Sequence, residues 1–113
     1  MTALPPTMST PPLTTVSIIS HQQMHLVLPL LRDLNTVHAS TPIAVVLTLN
    51  LPEELPCAPT EFAYPLQVLH NTQPQGFGAN HNQAFKQAQG DFFCVLNPDI
   101  RIAHNPFPAL LKA

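Results

Sequence analysis

One segment of the 113-residue chain, residues 76–100 with the sequence GFGANHNQAFKQAQGDFFCVLNPDI, most strongly limits its fold. It opens on residues 76–78, where two glycines permit a positive φ and close backbone approach. Residues 79–89 follow with apolar side chains at helical spacing, and Gly90 stands where a helix C-cap glycine belongs. The apolar run of residues 92–96 is typical of a strand buried on both faces. The segment therefore predicts a turn, a helix and a buried strand in succession.

Two polar side chains follow that strand, the amide of Asn97 and the carboxylate of Asp99. In open α/β sheets, ligands bind outside the carboxyl ends of the strands, so both groups would lie where a nucleotide sits. A divalent cation held by a carboxylate stabilises phosphate oxygens, and Mg²⁺ often takes only one or two ligands from protein. Asp99 is therefore the predicted metal ligand. The alternative is an ordinary turn, because Asn, Pro and Asp are common turn residues.

The rest of the chain alternates between strand and helix patterns. A helix is indicated by an apolar stripe at i, i+3, i+4 and i+7, and the strands by short runs rich in Val, Ile and Leu. This order favours an α/β fold with a mainly parallel sheet and flanking helices. The predicted strands are residues 16–20, 43–49, 66–69 and 92–96, and the predicted helices are residues 24–35 and 79–89.

Composition limits the possible functions. A chain of 113 residues with 45% hydrophobic residues allows one domain with a core, and a net charge of −2 argues against nucleic-acid partners. No apolar run approaches the roughly 20 residues that span a bilayer, so no transmembrane segment is expected. Residues 1–15 read as a disordered Pro/Thr-rich leader, and residues 16–113 as the folded domain. Cys57 and Cys94 are expected to be free thiols in a reducing compartment.

The order of these motifs resembles the family 2 glycosyltransferases of the GT-A fold, and within them the rhamnosyltransferase-like branch. The resemblance extends over residues 16–107 and corresponds to the amino-terminal half of the family's domain. The residues that carry it are Asn71, Gly76-Phe77-Gly78, Asn82, Gly90-Asp91, the strand at residues 92–96 and Asn97-Pro98-Asp99, together with the first strand at residues 16–20.

The resemblance implies a partial, truncated GT-A fold of Rossmann-like type, in which residues 16–113 bind the donor nucleotide. The implied reaction transfers a sugar from a nucleoside diphosphate sugar to a saccharide or lipid-linked acceptor with inversion, in cell-envelope polysaccharide synthesis. It also implies a Mg²⁺ or Mn²⁺ cofactor and a cytoplasmic location, with peripheral attachment to the inner membrane face as an alternative. Inversion needs a general base. The family supplies it beyond the Asn-Pro-Asp motif, so this chain alone is expected to be inactive.

The resemblance also implies which residues bind the nucleotide sugar. The first strand is followed by residues that contact the base, and the second by a position where the family often has Asp. The helix start faces the donor, and its N–H groups suit an anion. Many GT-A enzymes have Asp-x-Asp after the fourth strand, whereas here the first position is an uncharged Asn. The implied binding residues are Ser20, His21, Asn50, Gly76, Phe77, Gly78, Asn82, Asn97 and Asp99, with Asp99 as the metal ligand and no catalytic residue within the chain.

Several assignments depend on details that a pattern leaves open. Asn82 faces the site only if the helix register is right, and Gly78 is expected to tolerate substitution less well than Gly90. His81 is expected to be at the surface or partly packed, and Asp33 to be solvated. Two rival functions are a non-catalytic nucleotide-binding or protein-interaction module, and a small Rossmann-like protein that binds NAD or a mononucleotide without metal.

Overall fold

The computed structural model describes residues 13–88 and 90–102. The predicted strands are all present, with bounds that shift by two residues at most. Because β1 already includes Thr14 and Thr15, the sheet begins before residue 16. Residues 1–12 of the predicted leader and residues 103–113 of the predicted domain lie outside the described residues. The elements are β1 (Thr14–Ser20), α1 (Met24–Ser40), β2 (Ile43–Leu49), a 3₁₀ turn (Pro59–Glu61), β3 (Leu66–His70), α2 (Phe77–Phe85) and β4 (Phe92–Leu96).

The four strands form one sheet in the order β3-β2-β1-β4, and every neighbouring pair is parallel. The mainly parallel α/β sheet expected from the sequence is therefore confirmed. Parallel strands end at the same edge, so the segments that follow all four strands gather there. The strand order reverses between β1 and β4, which is the position where open α/β sheets bind ligands.

Helix α1 covers one face of the sheet with an apolar stripe. The helix continues through Pro29 and runs five residues beyond the predicted end, because Val37 prolongs the stripe. Its buried side chains pack against strand residues such as Val16, Ile18 and Leu47 to form the main core. The buried residues of α1 are Val27, Leu30, Leu31, Leu34 and Val37.

Helix α2 lies on the opposite face, because its His81 contacts Ser17, which alternates along β1 with the core residues Val16 and Ile18. The buried residues of α2 are Asn80, His81 and Ala84. This second layer is therefore polar and small where the first is apolar. The helix spans Phe77–Phe85 and so begins and ends earlier than predicted.

Strand β4 is less buried than its apolar sequence predicted. Phe92 is 40% exposed and Val95 is 39% exposed. The expectation of burial on both faces is wrong for the described residues, because β4 is an edge strand that pairs only with β1 there. The ring of Phe93 nevertheless packs edge-on against Phe85 of α2, with the ring centroids 5.2 Å apart.

The segment after β4 is tied to α1 by an ion pair. Arg101 donates to both carboxylate oxygens of Asp33, over 2.8 and 3.1 Å, and the backbone N–H of Ile102 adds a third hydrogen bond of 2.9 Å. The hydrogen bond from Arg101 is the main reason why the pKa of Asp33 is lowered. Asp33 is therefore paired with Arg101 and not merely solvated. The two residues are 68 positions apart, so no local sequence pattern predicts their contact.

Of the two glycines compared in the sequence, Gly90 is the constrained one. Its φ is +86°, and a Cβ there would overlap the backbone and side chain of Leu13. Gly78 lies in the first turn of α2, and a Cβ there would meet open space. The prediction that Gly78 tolerates substitution less well than Gly90 is therefore wrong for the fold, because Gly90 turns the chain into β4 beside Leu13 and is not a helix cap.

We expect Gly90→Ala to lower the free energy of unfolding by roughly 1–3 kcal/mol, because alanine at positive φ is strained and overlaps Leu13. Gly78→Ala should leave stability unchanged or raise it by up to about 1 kcal/mol, because alanine favours helix. Urea unfolding followed by circular dichroism measures both values. Equal stability of the two variants would contradict this account of Gly90.

Candidate functional site

The carboxyl edge of the sheet gathers most of the residues predicted to bind a ligand. Ser20 is the last residue of β1 and His21 follows it, while Asn50 follows β2. Asn71 follows β3, and the loop after it leads to the start of α2 at Gly76. The parallel sheet thus brings into one place polar residues that lie up to 56 positions apart in the chain.

Three asparagine side chains join β2, β3 and α2 at this edge. The Nδ2 atom of Asn71 donates to Oδ1 of Asn50 and to Oδ1 of Asn80, each over 2.7 Å. Asn80 in turn donates from Nδ2 to the carbonyl of Gln75 over 3.2 Å. Asn50 and Asn80 are both buried. Buried amides stabilise a fold only when they are hydrogen-bonded. Here the bonds from Asn71 connect the segment after β3 to the segment after β2 and to α2.

The Asn50 amide is fully used within the protein. Its Oδ1 accepts from Asn71 and from the backbone N–H of Gln75, the latter over 2.7 Å. Its Nδ2 donates to the carbonyl of Gln75 over 3.0 Å and to Nδ1 of His21 over 3.1 Å. An amide has two donors and two acceptor lone pairs, so all four are used. Asn50 therefore orients its neighbours, and its implied contact with the base or ribose of the nucleotide stays a prediction.

This arrangement also fixes the tautomer of His21. The backbone of Gln75 presents both an N–H and a carbonyl to Asn50, so only one orientation of the Asn50 amide satisfies both. Its NH₂ group then faces Nδ1 of His21, which must accept. The proton of the neutral ring is consequently on Nε2. Because His21 is exposed, it offers an N–H donor at the carboxyl edge.

The hydroxyl of Ser20 is also used internally. It donates its proton to Oε2 of Glu53 over 2.6 Å and accepts from the backbone N–H of Gln23 over 3.1 Å. The same Glu53 oxygen accepts the backbone N–H of Gln22 over 2.8 Å. Sequence reasoning missed Glu53, which lies 33 residues from Ser20 in a proline-rich loop. No local pattern marks such a contact.

Helix α2 begins at this edge with open backbone. Gly76 is its N-cap in an extended conformation, and a Cβ at Gly76 or Gly78 would meet open space. Phe77 beside them is 67% exposed. The first N–H groups of a helix have no acceptor within it and favour an anion. Neither glycine has a positive φ, which corrects the expected turn geometry. The open space around both still allows a ligand to approach the backbone closely.

The helix register directs Asn80, and not Asn82, toward the other asparagines. Side chains two positions apart in a helix, such as Asn80 and Asn82, point about 200° away from each other around the helix axis. Asn80 is buried in the network, and Asn82 is exposed on a different side of α2. Asn82 therefore lies outside this network and its implied contact with the nucleotide stays a prediction, while sequence reasoning missed Asn80. Its spacing to Ala84, four residues later, is the sequence signal that could have indicated this face.

His81 is buried, more deeply than the surface or partly packed position expected. Its Nδ1 lies 2.8 Å from the hydroxyl of Ser17, and its ring meets that of Phe77 edge-on at 4.4 Å between centroids. Burial lowers the pKa of His81, because the charged imidazolium loses hydration. The neutral ring thus helps to seat α2 on the sheet.

Asn97 and Asp99 follow β4 in an exposed turn, which the Ile100 N–H closes on the Asn97 carbonyl over 3.1 Å. The register of Ile18 with Leu96 sets this turn beside the end of β1. In residues 13–88 and 90–102, no cluster of three or more His, Cys, Asp or Glu side chains is arranged to hold a metal ion. One carboxylate and one amide oxygen suit a cation that shares its coordination with a diphosphate and water.

Two cavities lie away from these residues. One of about 120 Å³ opens between β2 and β3 near Gln67 and Gln87, and one of about 240 Å³ lies beside β3 near Cys57 and His70. Both cysteines are free thiols, as expected. The candidate site itself is an open edge of the sheet.

The chain belongs to a family of glycosyltransferases. The profile described as "Glycosyl transferase family 2" matches residues 56–113, just over half of the chain. Among solved structures, the fold resembles the mannosyltransferase PcManGT from Pyrobaculum calidifontis, solved in complex with GDP-Man and Mn²⁺, with a TM-score of 0.73 at 17% identity. That match covers 89% of this chain and 31% of the mannosyltransferase chain. A search of curated proteins by sequence found no match.

These comparisons confirm the predicted family and the fold, a four-stranded parallel sheet with two helices that corresponds to part of the GT-A fold. The chain spans about a third of the length of that mannosyltransferase. Among the described residues, no helix is both long and apolar enough to cross a membrane.

His81 should make stability depend on pH. Its lowered pKa means that the unfolded chain binds a proton more readily, so the free energy of unfolding should fall as pH drops below the ordinary histidine value of about 6.5. His81→Asn, which retains a polar group near Ser17, should flatten this decline. His25→Asn alters an exposed histidine and serves as control. Urea unfolding between pH 5 and 8 tests this, and an unchanged slope in His81→Asn would refute it.

The His21 tautomer is directly measurable. Imidazole ¹⁵N NMR at neutral pH should show His21 protonated at Nε2, because Asn50 donates to Nδ1. Asn50→Asp replaces that donor by a carboxylate oxygen and should shift the proton to Nδ1. If the native protein carries the proton on Nδ1, the amide orientation deduced for Asn50 is wrong.

Proposed function

We propose that this chain forms the donor-nucleotide-binding part of a family 2 glycosyltransferase, with a nucleoside diphosphate sugar as its ligand. The observation that carries the proposal is a convergence at the carboxyl edge of the parallel sheet. The donor N–H of His21, the amino terminus of α2 and the carboxylate of Asp99 all lie there. The mannosyltransferase with a similar fold binds GDP-Man and Mn²⁺, which supports a ligand of this class.

Each group suits one part of such a donor. The N–H groups at the start of α2 favour the diphosphate, and the open backbone at Gly76 and Gly78 lets it approach. Asp99 and the amide oxygen of Asn97 would hold a Mg²⁺ or Mn²⁺ ion, which neutralises the diphosphate. On the nucleoside side, His21 offers its N–H, and Asn50 keeps the ring in place.

We propose that sugar transfer itself requires polypeptide in addition to the described residues. Ser20 and Gln22 engage Glu53, and Asp99 is assigned to the metal, so neither carboxylate serves as the base that deprotonates an acceptor. We propose that this base comes from polypeptide outside the described residues. The same proposal includes a rhamnosyl or other specific donor and a saccharide or lipid-linked acceptor. It also includes a role in envelope polysaccharide synthesis and a cytoplasmic or peripheral inner-membrane location.

A second candidate is a non-catalytic nucleotide-binding or protein-interaction module. The exposed aromatic side chains of α2 and β4 favour it, because large exposed apolar surfaces often contact protein. Phe77, Phe85 and Phe92 are 67%, 60% and 40% exposed. The two functions differ in their metal dependence, since a protein contact through these rings needs no cation.

Asp99 should carry the metal dependence of nucleotide binding. We expect Mn²⁺ to tighten the binding of GDP, UDP or dTDP to the native chain about tenfold, in line with the loss of one charged contact. Asp99→Asn should abolish that gain. Asp91→Asn is the matched control, because Asp91 is also exposed but precedes β4 and so lies at the amino edge of the sheet. Isothermal titration of the three proteins with and without Mn²⁺ measures this, and identical affinities throughout would remove Asp99 from the site.

A further inference from the structure

The loop between β1 and α1 contains a strained residue. Gln22 has a φ of +60°, the only positive value at a non-glycine position among residues 13–88 and 90–102. Side chains with a Cβ disfavour this left-handed conformation, and it persists only where surrounding contacts enforce it. Gln22 lies directly after His21, and directly before Gln23, which is the N-cap of α1.

Glu53 supplies the contacts that enforce it. One carboxylate oxygen, Oε2, accepts the Gln22 backbone N–H over 2.8 Å and the Ser20 hydroxyl over 2.6 Å. The side chain of Gln22 donates to the carbonyl of Pro52 over 2.9 Å, so the same loop holds both its backbone and its side chain. Within the described residues the carboxylate forms no ion pair with Lys or Arg, so these donors stabilise its charge.

The consequence falls on His21, which lies between the two residues that Glu53 holds. Its backbone N–H donates to Oε1 of Gln23 over 3.2 Å, and its two neighbours, Ser20 and Gln22, both donate to Glu53. Its ring is held separately by Asn50. We expect that loss of Glu53 lets Gln22 relax to a negative φ, which rotates the peptide between His21 and Gln22 and disturbs the bond between the His21 ring and Asn50.

We propose that Glu53 is a positioning residue for donor binding. It holds Gln22 in the left-handed conformation and thereby directs the Nε2–H of His21 toward the nucleotide, without touching the nucleotide itself. This inference rests on the proposed function for its effect on affinity. The clamp between Glu53 and Gln22 is testable without any ligand.

The test is a double-variant cycle read by nucleoside diphosphate affinity with Mn²⁺. Glu53→Ala should weaken binding about tenfold, as expected for losing hydrogen bonds to a charged group. Glu53→Gln keeps an oxygen that accepts both bonds and should stay within about threefold of the native affinity. Adding Gln22→Gly to Glu53→Ala should restore most of the loss, because glycine adopts a positive φ without strain. Glu54→Ala, at the exposed neighbouring position, should bind like the native chain.

Rescue by Gln22→Gly separates this role from general support of the fold. If Glu53→Ala binds as tightly as the native chain, or if Gln22→Gly restores nothing, the proposal is overturned. Should Glu53→Ala not fold, as judged by circular dichroism, Glu53→Asp replaces it in the cycle, because its shorter side chain withdraws the oxygen from Gln22.

The imidazole ¹⁵N spectrum of His21 tests the clamp in the absence of nucleotide. Glu53→Ala should shift the His21 resonances, and Gln22→Gly should return them toward their native positions. If the native chain binds no nucleoside diphosphate but this pattern is seen, the proposed function fails and the clamp stands. An unchanged His21 spectrum in Glu53→Ala overturns the clamp itself.

Discussion

The hydrogen bonds of the Asn50 side chain are the interaction on which the candidate site depends. A parallel sheet brings its strand ends to one edge, but it does not determine how the following loops are arranged there. Asn50 does so by bonding the loop after β3, the segment before α2, and His21 after β1. Because all four of its hydrogen-bonding positions are used, a change at any one of them leaves a buried polar group unpaired, which costs roughly 1–3 kcal/mol.

The two faces of the sheet explain why some features were predictable and others were not. On the α1 face, the stripe ending at Val37 and the β-branched strands follow simple periodicities, so strands and helix were found within a few residues. On the α2 face, Asn80 and His81 are buried through specific polar contacts, and apolar periodicity carries no information about them. Glu53 and Asp33 act across 31 to 69 residues, so their roles appear only once the chain is folded.

The site divides into a hydrogen-bonded part around Asn50 and an exposed part around Asp99. Between β1 and α2, amides, backbone groups and the His21 imidazole bond one another, and the amide orientation of Asn50 leaves the His21 N–H directed outward. Such a prearranged donor costs little entropy to use in binding. After β4, Asn97 and Asp99 lie in an exposed turn. A cation and a diphosphate would complete the geometry there, because Asp99 alone provides too few ligands.

The contacts of β4 suggest why these two parts differ. The turn that carries Asp99 is fixed on one side by β1 and, beyond Ile100, by the bond between Asp33 and Arg101. On its other side β4 pairs with no second strand among the described residues, and its side chains Phe92 and Val95 are exposed. Apolar side chains on an edge strand favour further pairing. Under the proposed function, the contacts to the nucleoside lie within residues 20–80, whereas the turn that carries Asp99 also depends on what pairs with β4. Pairing of a further strand with β4 should therefore strengthen the metal-dependent part of nucleotide binding more than the metal-independent part.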